Sequence, residues 1–163
     1  VYTVWLKRRT WLNIVVGGLS GSFAVLAGAS AVDPDLSATS IALALVLFLW
    51  TPPHFWSLAM ALRDQYAKAG VPMLPVVIGD AAAARVILWH TVTLTLLSLV
   101  PGALGLGPVY MVCAFLGGAV FVRRSLALVA DPGPKAAMAN FHASLIQLSL
   151  LLIGAIADRW LIG

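Results

Sequence analysis

The sequence predicts an all-α membrane protein, a polytopic bundle of five complete transmembrane helices preceded by the end of another helix. Of the 163 residues, 61 % are apolar, which amounts to about five times the ~20 apolar residues that one helical span requires. Only 10 % are charged, and the mean hydropathy is +0.99. This composition excludes a soluble single-core domain, a disordered chain and a nucleic-acid binder.

The start of the chain predicts the last turns of a membrane helix. The apolar residues 1–6 run directly into Lys7, Arg8 and Arg9. A signal peptide carries its positive charges before the apolar stretch, so this order excludes one. We therefore expect residues 1–163 to be the C-terminal part of a single transmembrane domain. The one cysteine, Cys113, lies in an apolar run, which excludes a disulfide framework and a cysteine-based metal cluster.

Five apolar runs follow, and each predicts a membrane-spanning helix. They cover about residues 14–32, 38–62, 85–104, 109–129 and 140–157. In the first run, small residues recur at helical spacing at Gly17, Gly21, Ala24 and Gly28. Small residues in this pattern let two membrane helices approach closely, so we attribute the whole stripe to helix packing.

The second run contains two consecutive prolines, Pro52 and Pro53. Each proline removes a backbone donor and clashes with the preceding turn, so we expect a kink or a break in this helix.

Other residues are expected to have purely structural roles. The tryptophans fall mostly near the predicted span ends, which an aromatic belt explains, and Asp131 and Asp158 are expected to be turn or cap residues.

The distribution of basic residues predicts the topology. Nine of the ten Lys and Arg residues fall on alternate loops, and Arg159 is the exception. By the positive-inside rule the loops around Lys7, Asp64 and Arg123 are cytoplasmic, and the chain ends outside. This rule also explains the net charge of +4 without a polyanionic partner. The Ala- and Gly-rich composition is typical of bacteria, so we expect a multi-pass protein of the inner (plasma) membrane.

Polar residues cluster in two segments on the predicted cytoplasmic side, residues 2–13 and 50–75. A cavity between the two segments is rich in cations and contains one carboxylate, Asp64. Such a cavity suits an anionic ligand with a divalent cation beside it. The alternative for residues 7–9 is that they only set the topology.

Four motifs carry a resemblance to a known family. They are Tyr-Thr-x-x-Leu-Lys-Arg at 2–8, Trp-Thr-Pro-Pro-His-Phe-Trp at 50–56, the run from Asp64 through Tyr-Ala-x-Ala-Gly-Val-Pro-Met-Leu-Pro to Val77, and Asn-Phe-His-Ala-Ser-Leu-Ile at 140–146. Together they closely resemble the protohaem farnesyltransferases of the intramembrane UbiA-type prenyltransferase superfamily. That family has nine membrane helices, so the resemblance implies that the chain covers the end of helix 4 through helix 9.

The resemblance implies a reaction and its partners. Farnesyl diphosphate, with Mg²⁺ on its diphosphate, would ionise and alkylate a vinyl group of haem b, and water would complete haem O. Farnesyl diphosphate, haem b and the lipid bilayer are then the partners, with no nucleic acid. Association with haem A synthase or with terminal-oxidase assembly is a further expectation.

The resemblance also assigns roles on the diphosphate. Lys7 and Arg8 match the family's basic pair and would hold the diphosphate. Tyr2 and Asn13 are expected either to bond the diphosphate or to cap helix ends.

In the second polar segment, the resemblance makes Asp64, Tyr66 and Lys68 the catalytic candidates. Asp64 would help to place the magnesium ion, and Tyr66 and Lys68 would close on the diphosphate oxygens. For haem b the candidates are His54, which follows the double proline, and His142, which is expected to be interfacial or haem-facing.

Two other functions remain as alternatives. A related prenyltransferase acting on a quinone precursor or on chlorophyllide would normally carry several carboxylates where this chain has residues 69–75. A membrane transporter or assembly factor would use a broken helix around a midplane site, which the double proline would supply. Binding of a prenyl diphosphate separates the enzymes from the transporter, and haem b as acceptor separates the enzymes from each other.

Overall fold

The structure is a computed structural model that describes residues 8–161, and every regular element in that range is a helix. The elements are α1 (Asn13–Val32), α2 (Ala38–Ala61), α3 (Arg63–Lys68), α4 (Leu74–Ile78), α5 (Asp80–Leu97), α6 (Val100–Ala103), α7 (Pro108–Ala130) and α8 (Pro134–Leu161). Five stretches are long and apolar enough to cross a membrane: α1, α2, α5 with α6, α7 and α8. The prediction of an all-α bundle with five spans is confirmed. The expected end of a preceding helix falls in residues 1–7, outside the described residues.

Two spans are longer than their apolar runs. The third begins at Asp80 instead of residue 85, and the fifth covers Pro134 to Leu161 instead of 140–157. Gly79, with a φ of 81°, separates α4 from α5 in a conformation that favours glycine. Backbone hydrogen bonding continues beyond the apolar residues into the polar ends of these helices. Boundaries predicted from hydropathy alone are therefore too close to the middle of each helix.

Helix α2 is unbroken across Pro52 and Pro53, so of the expected kink or break, the break is wrong. Both prolines are fully buried against neighbouring helices, where packing supports a segment that lacks two donors. Hydroxyl groups reinforce the turns on either side. Thr51 Oγ1 donates to the carbonyl of Leu47 at 2.9 Å, and Ser57 Oγ donates to the carbonyl of Pro53 at 2.6 Å.

The buried apolar residues form two clusters along the bundle. One contains Ile14, Trp56, Ala59, Met60, Met73, Leu74, Ala83, Ala84, Ile87, Leu128 and Ala137, and the other contains Val46, Trp50, Leu94, Leu106, Tyr110, Ala114, Phe121, Ala143 and Leu151. Trp50 and Trp56 are therefore core residues, and the aromatic-belt prediction is wrong for them. Trp89 and Trp160, which are 71 % and 87 % exposed, lie on the surface as expected.

Between the two apolar clusters lies a layer of polar side chains, one from each of α2, α5, α7 and α8. Asn140 Nδ2 donates to Ser57 Oγ at 2.9 Å. Ser125 Oγ lies 3.0 Å from Asn140 Oδ1 and 3.1 Å from Thr91 Oγ1. All four residues are fully buried. This polar layer, Ser57–Thr91–Ser125–Asn140, connects four helices by hydrogen bonds. In lipid, apolar contact alone gives little driving force for helix association, so such bonds between helices stabilise the bundle.

Helix α8 also completes the start of α7. The buried carboxylate of Asp158 accepts hydrogen bonds from the backbone amides of Gly107, Val109 and Tyr110, the last two at 3.0 and 3.3 Å. These amides belong to the first turn of α7 and have no partner within their own helix. Asp158 is thus a cap, as expected, but it caps the neighbouring helix.

Candidate active site

A groove of about 620 Å³ opens between α1, α2 and the segment that joins α2 to α5. Its lining residues are Asn13, Ile14, Val16, Gly17, Gly18, Ser20, Gly21, Leu47, Trp50, Thr51, Phe55, Tyr66 and Met73. Because α1 and α2 run antiparallel, Asn13 lies at the same end as Phe55, and Gly21 lies beside Leu47 further in. The groove therefore has a polar end near Asn13 and Tyr66 and a largely apolar body.

Glycines give the groove its width. A Cβ on Gly18 would lie 3.2 Å from Thr51 Cβ, so this glycine allows close packing of α1 on α2. Gly17 and Gly21 line the groove, whereas a Cβ on Gly28 would meet nothing within 4 Å. The expectation that packing explains the whole small-residue stripe is therefore wrong: Gly18 makes the close approach, and two members of the stripe border open space.

The structure brings two of the predicted site residues, Asn13 and Tyr66, to the same groove. Asn13 is fully buried, and its Nδ2 donates to the carbonyl of Thr10 at 2.7 Å. This bond is not a helix cap, because a capping side chain accepts from a backbone amide, and α1 has no side-chain cap. Tyr66 is half-buried and packs against the apolar cluster beneath α3.

Asp64 and Lys68 lie elsewhere. Both are exposed on α3, and Asp64 lines a separate pocket of about 250 Å³ together with Arg63 and Asp80. In that pocket Arg63 Nη1 lies 3.0 Å from Asp80 Oδ2. The structure therefore does not bring Asp64 into the groove that contains Tyr66, two residues further along α3.

Among residues 8–161, no three His, Cys, Asp or Glu side chains come together to hold a metal ion. Asp64 and Asp80 share one pocket, but an oxygen of Asp80 is bound to Arg63. These residues alone therefore do not fit a magnesium site, which needs several oxygen ligands in octahedral geometry.

The other predicted site residues within the described range do not line the groove. Arg8 is exposed, five residues before Asn13. Lys7 and Tyr2 lie outside the described residues. His142 is exposed on α8. His54 is 7 % exposed and packs against α8, with its Nδ1 at 2.7 Å from Ser144 Oγ.

The sequence interpretation missed the groove-lining residues of α2. Leu47, Thr51 and Phe55 lie four residues apart and thus share a helix face, and Gly17 and Gly21 on α1 have the same spacing. This four-residue spacing is visible in the sequence and could have identified the helix faces that line the groove. Selecting His54 from the 50–56 motif by its chemistry chose a residue that does not line the groove.

The fold and the groove define a helical membrane protein with a candidate binding groove. The sequence profile of the UbiA prenyltransferase family matches residues 1–151, and the chain belongs to that family. No solved structure matches the chain.

Curated relatives carry a more specific name. Protoheme IX farnesyltransferase 2 of Paramagnetospirillum magneticum is 61 % identical over 100 % of this chain, which covers 57 % of the relative. Protoheme IX farnesyltransferase 1 of the same organism is 54 % identical over 98 % of this chain and 56 % of the relative. The enzyme of Azotobacter vinelandii is 44 % identical over 99 % of this chain and 54 % of the relative. The chain thus spans a little over half the length of these relatives.

Proposed function

We propose that the full-length protein is a protohaem IX farnesyltransferase that converts haem b into haem O. Relatives with that name match almost the entire chain at 44–61 % identity. The structural observation that carries the proposal is the groove between α1 and α2. It combines a polar end with a mostly apolar body, as a substrate with a diphosphate head and an isoprenoid tail requires.

The proposed reaction balances without an oxidant or a reductant. The allylic carbon–oxygen bond of farnesyl diphosphate breaks, and its electron pair leaves with the diphosphate. The π electrons of a haem vinyl group form the new carbon–carbon bond. The cation left on the haem side chain takes the oxygen of water, and that water releases a proton to the solvent.

The groove residues suit this reaction in two ways. Trp50 and Phe55 present aromatic rings to the groove, and such rings stabilise a nearby cation. The apolar lining around Leu47 and Gly21 excludes water from the allylic cation, which would otherwise react with it. Both effects are needed only after the diphosphate has left.

The polar end of the groove would bind the diphosphate. Tyr66, which lines the groove, would donate a hydrogen bond there. Arg8 and Lys7 would supply positive charge from the segment before α1. Lys68 is exposed on α3 and does not line the groove, so its proposed contact with the diphosphate oxygens has less structural support than that of Tyr66.

Magnesium is part of the proposal through the family resemblance, with Asp64 as the candidate ligand. When bound, the ion would neutralise the leaving diphosphate. The described residues do not form a complete site for it, so the roles assigned above to Tyr66, Trp50 and Phe55 do not depend on the ion.

The proposed cellular setting is the bacterial inner membrane, with the loops around Lys7, Asp64 and Arg123 in the cytoplasm. Nine of the ten basic residues support this orientation. Delivery of haem O to haem A synthase or to terminal-oxidase assembly is a proposal that follows from the product.

The test is production of haem O by the full-length protein in membranes that lack the native enzyme. Haem extraction and chromatography should show haem O when farnesyl diphosphate and haem b are supplied. Prenylation of a quinone precursor instead of haem b would contradict the proposal in favour of a related prenyltransferase. Movement of haem or prenyl diphosphate without any product would favour a transporter.

The role of the basic segment is tested by Arg8→Ala in the full-length protein. Loss of a charge-assisted contact should reduce kcat/KM for farnesyl diphosphate by roughly tenfold or more, equivalent to about 1.5–3 kcal/mol. Haem b binding should stay near normal. Arg124→Ala, which removes an exposed arginine from α7, is the matched control. An equal loss of haem affinity would contradict the proposal that Arg8 binds the diphosphate at the polar end of the groove.

A further inference from the structure

His54 lies at the centre of a cluster of aromatic rings that joins α2 to α8. Its imidazole stacks on Trp50 at a centroid distance of 4.1 Å and on Phe141 at 4.5 Å. The ring of Phe55 meets it edge-on at 5.0 Å. With 7 % exposure and neighbours on both ring faces, the side chain has one fixed position.

Hydrogen bonds through Ser144 fix the orientation of the imidazole. The Ser144 hydroxyl donates its single proton to the carbonyl of Phe141 at 2.6 Å. Both this bond and the 2.7 Å contact between His54 Nδ1 and Ser144 Oγ are satisfied together when His54 Nδ1–H is the donor. Trp50 Nε1 donates to the backbone carbonyl of Ser144 at 2.9 Å. Two neighbouring aromatic residues of α2 are thus anchored to one residue of α8.

The groove and this cluster share residues. Trp50 and Phe55 line the groove, but His54 does not. We propose that His54 is a positioning residue that fixes Trp50 and Phe55 as the aromatic wall of the groove. This inference rests on the proposed function, and it replaces the sequence-based expectation of a direct contact between His54 and haem.

Two variants of the full-length protein separate the hydrogen bond from the ring. His54→Phe keeps an aromatic ring between Trp50 and Phe141 but loses the bond to Ser144, and Ser144→Ala removes the same bond from the other side. Each should raise KM for farnesyl diphosphate by roughly tenfold, less than the hundredfold that a 1 Å misplacement can cost. The double variant should be no worse than either single one, because both remove one interaction.

Haem binding distinguishes positioning from ligation. In a titration followed by haem absorption, His54→Phe should bind haem b with unchanged affinity and an unchanged spectrum. Loss of haem binding or a shifted absorption band in His54→Phe, with Ser144→Ala normal, would overturn the proposal in favour of a haem ligand. Unchanged KM in both variants would overturn it as well.

A third measurement does not depend on activity. In protein labelled with fluorotryptophan, the ¹⁹F resonance of Trp50, assigned with Trp50→Phe, should shift or broaden in both variants. An unaltered resonance would overturn the positioning role. If the wild-type protein makes no haem O, the proposed function fails, and the ¹⁹F measurement still decides whether His54 and Ser144 hold Trp50.

Discussion

The two sides of α2 use similar residue types for opposite purposes. On one side, Ser57 and Asn140 of the polar layer hydrogen-bond each other and are fully buried. On the other side, Thr51 and Ser20 border an open groove and bond only to carbonyls of their own helices. The apolar stretch of α2 is 50 % buried and that of α1 is 17 % buried. From this comparison we infer that the buried, hydrogen-bonded interface of α2, α5, α7 and α8 contributes more to stability, and that the groove beside α1 would hold the substrate of the proposed reaction.

The largest expected effect comes from breaking the polar layer with Asn140→Leu. This change removes bonds to Ser57 and Ser125 and leaves their hydroxyls with fewer partners, so it should destabilise the full-length protein by about 1–3 kcal/mol. Equilibrium unfolding in detergent or bicelles measures the change.

Ser20→Ala on the groove side is the matched control, because Ser20 is exposed and bonds only to the carbonyl of Gly17. It should change the free energy of unfolding by less than about 0.5 kcal/mol. Equal losses from the two substitutions would contradict the division between a stabilising side and a substrate side.

A smaller effect, on binding, is expected when the groove is filled by Gly21→Leu. A Cβ at Gly21 would lie 3.5 Å from Leu47 Cδ2, an ordinary contact, so the protein should fold while the rest of the side chain occupies the groove. KM for farnesyl diphosphate should rise at least about tenfold, or 1.4 kcal/mol, with unfolding unchanged or slightly more costly because glycine is a poor helix former.

Gly28→Leu on the same helix provides the control for this substitution. A Cβ there meets nothing within 4 Å, and Gly28 does not line the groove. Normal kinetics for Gly21→Leu would show that the isoprenoid binds elsewhere.

The smallest effect is expected at the ion pair of Arg63 and Asp80, which links the ends of the segment that carries Tyr66. The two side chains are 43 % and 31 % exposed, so solvent screens the pair. Its interaction free energy is therefore about 0.2–1 kcal/mol. Arg63→Gln should raise KM for farnesyl diphosphate by up to about fivefold, and the difference from wild type should shrink at high salt.

Two further variants sharpen this prediction. The exchanged pair, Arg63→Asp with Asp80→Arg, should recover part of the loss, whereas Arg85→Gln, an exposed arginine on α5, should change little. No recovery in the exchanged pair would mean that Arg63 acts by itself and not through Asp80.

Sequence alone predicts the fold well because membrane spans follow from composition. Long apolar runs and short polar loops determine the five helices without knowledge of any contact. The same composition predicts one span across Pro52 and Pro53, but whether the helix stays unbroken there depends on its burial against other helices. The burial of Trp50 and Trp56 was also not predictable, since the position of a residue along a span does not reveal whether its side chain points into the bundle.

The candidate site was only partly predictable, again because the sequence does not reveal which face of a helix a residue lies on. Tyr66 was selected from a motif and Asn13 as a polar residue of the first polar segment, and both line the groove. Asp64 belongs to the same motif as Tyr66 but lines a different pocket, because residues two apart on a helix face different directions. The partners in the polar layer lie 15 to 83 residues apart, and no local pattern connects them.

The Asp158 cap has a consequence for how the protein is made. The amides of Gly107, Val109 and Tyr110 are synthesised about fifty residues before the carboxylate that binds them. Unpaired backbone amides are costly at the edge of a bilayer, so α7 stays incomplete until α8 has been inserted. Biogenesis of this helical pair therefore has a defined final step, and a chain that stops before residue 158 lacks the carboxylate that pairs these amides.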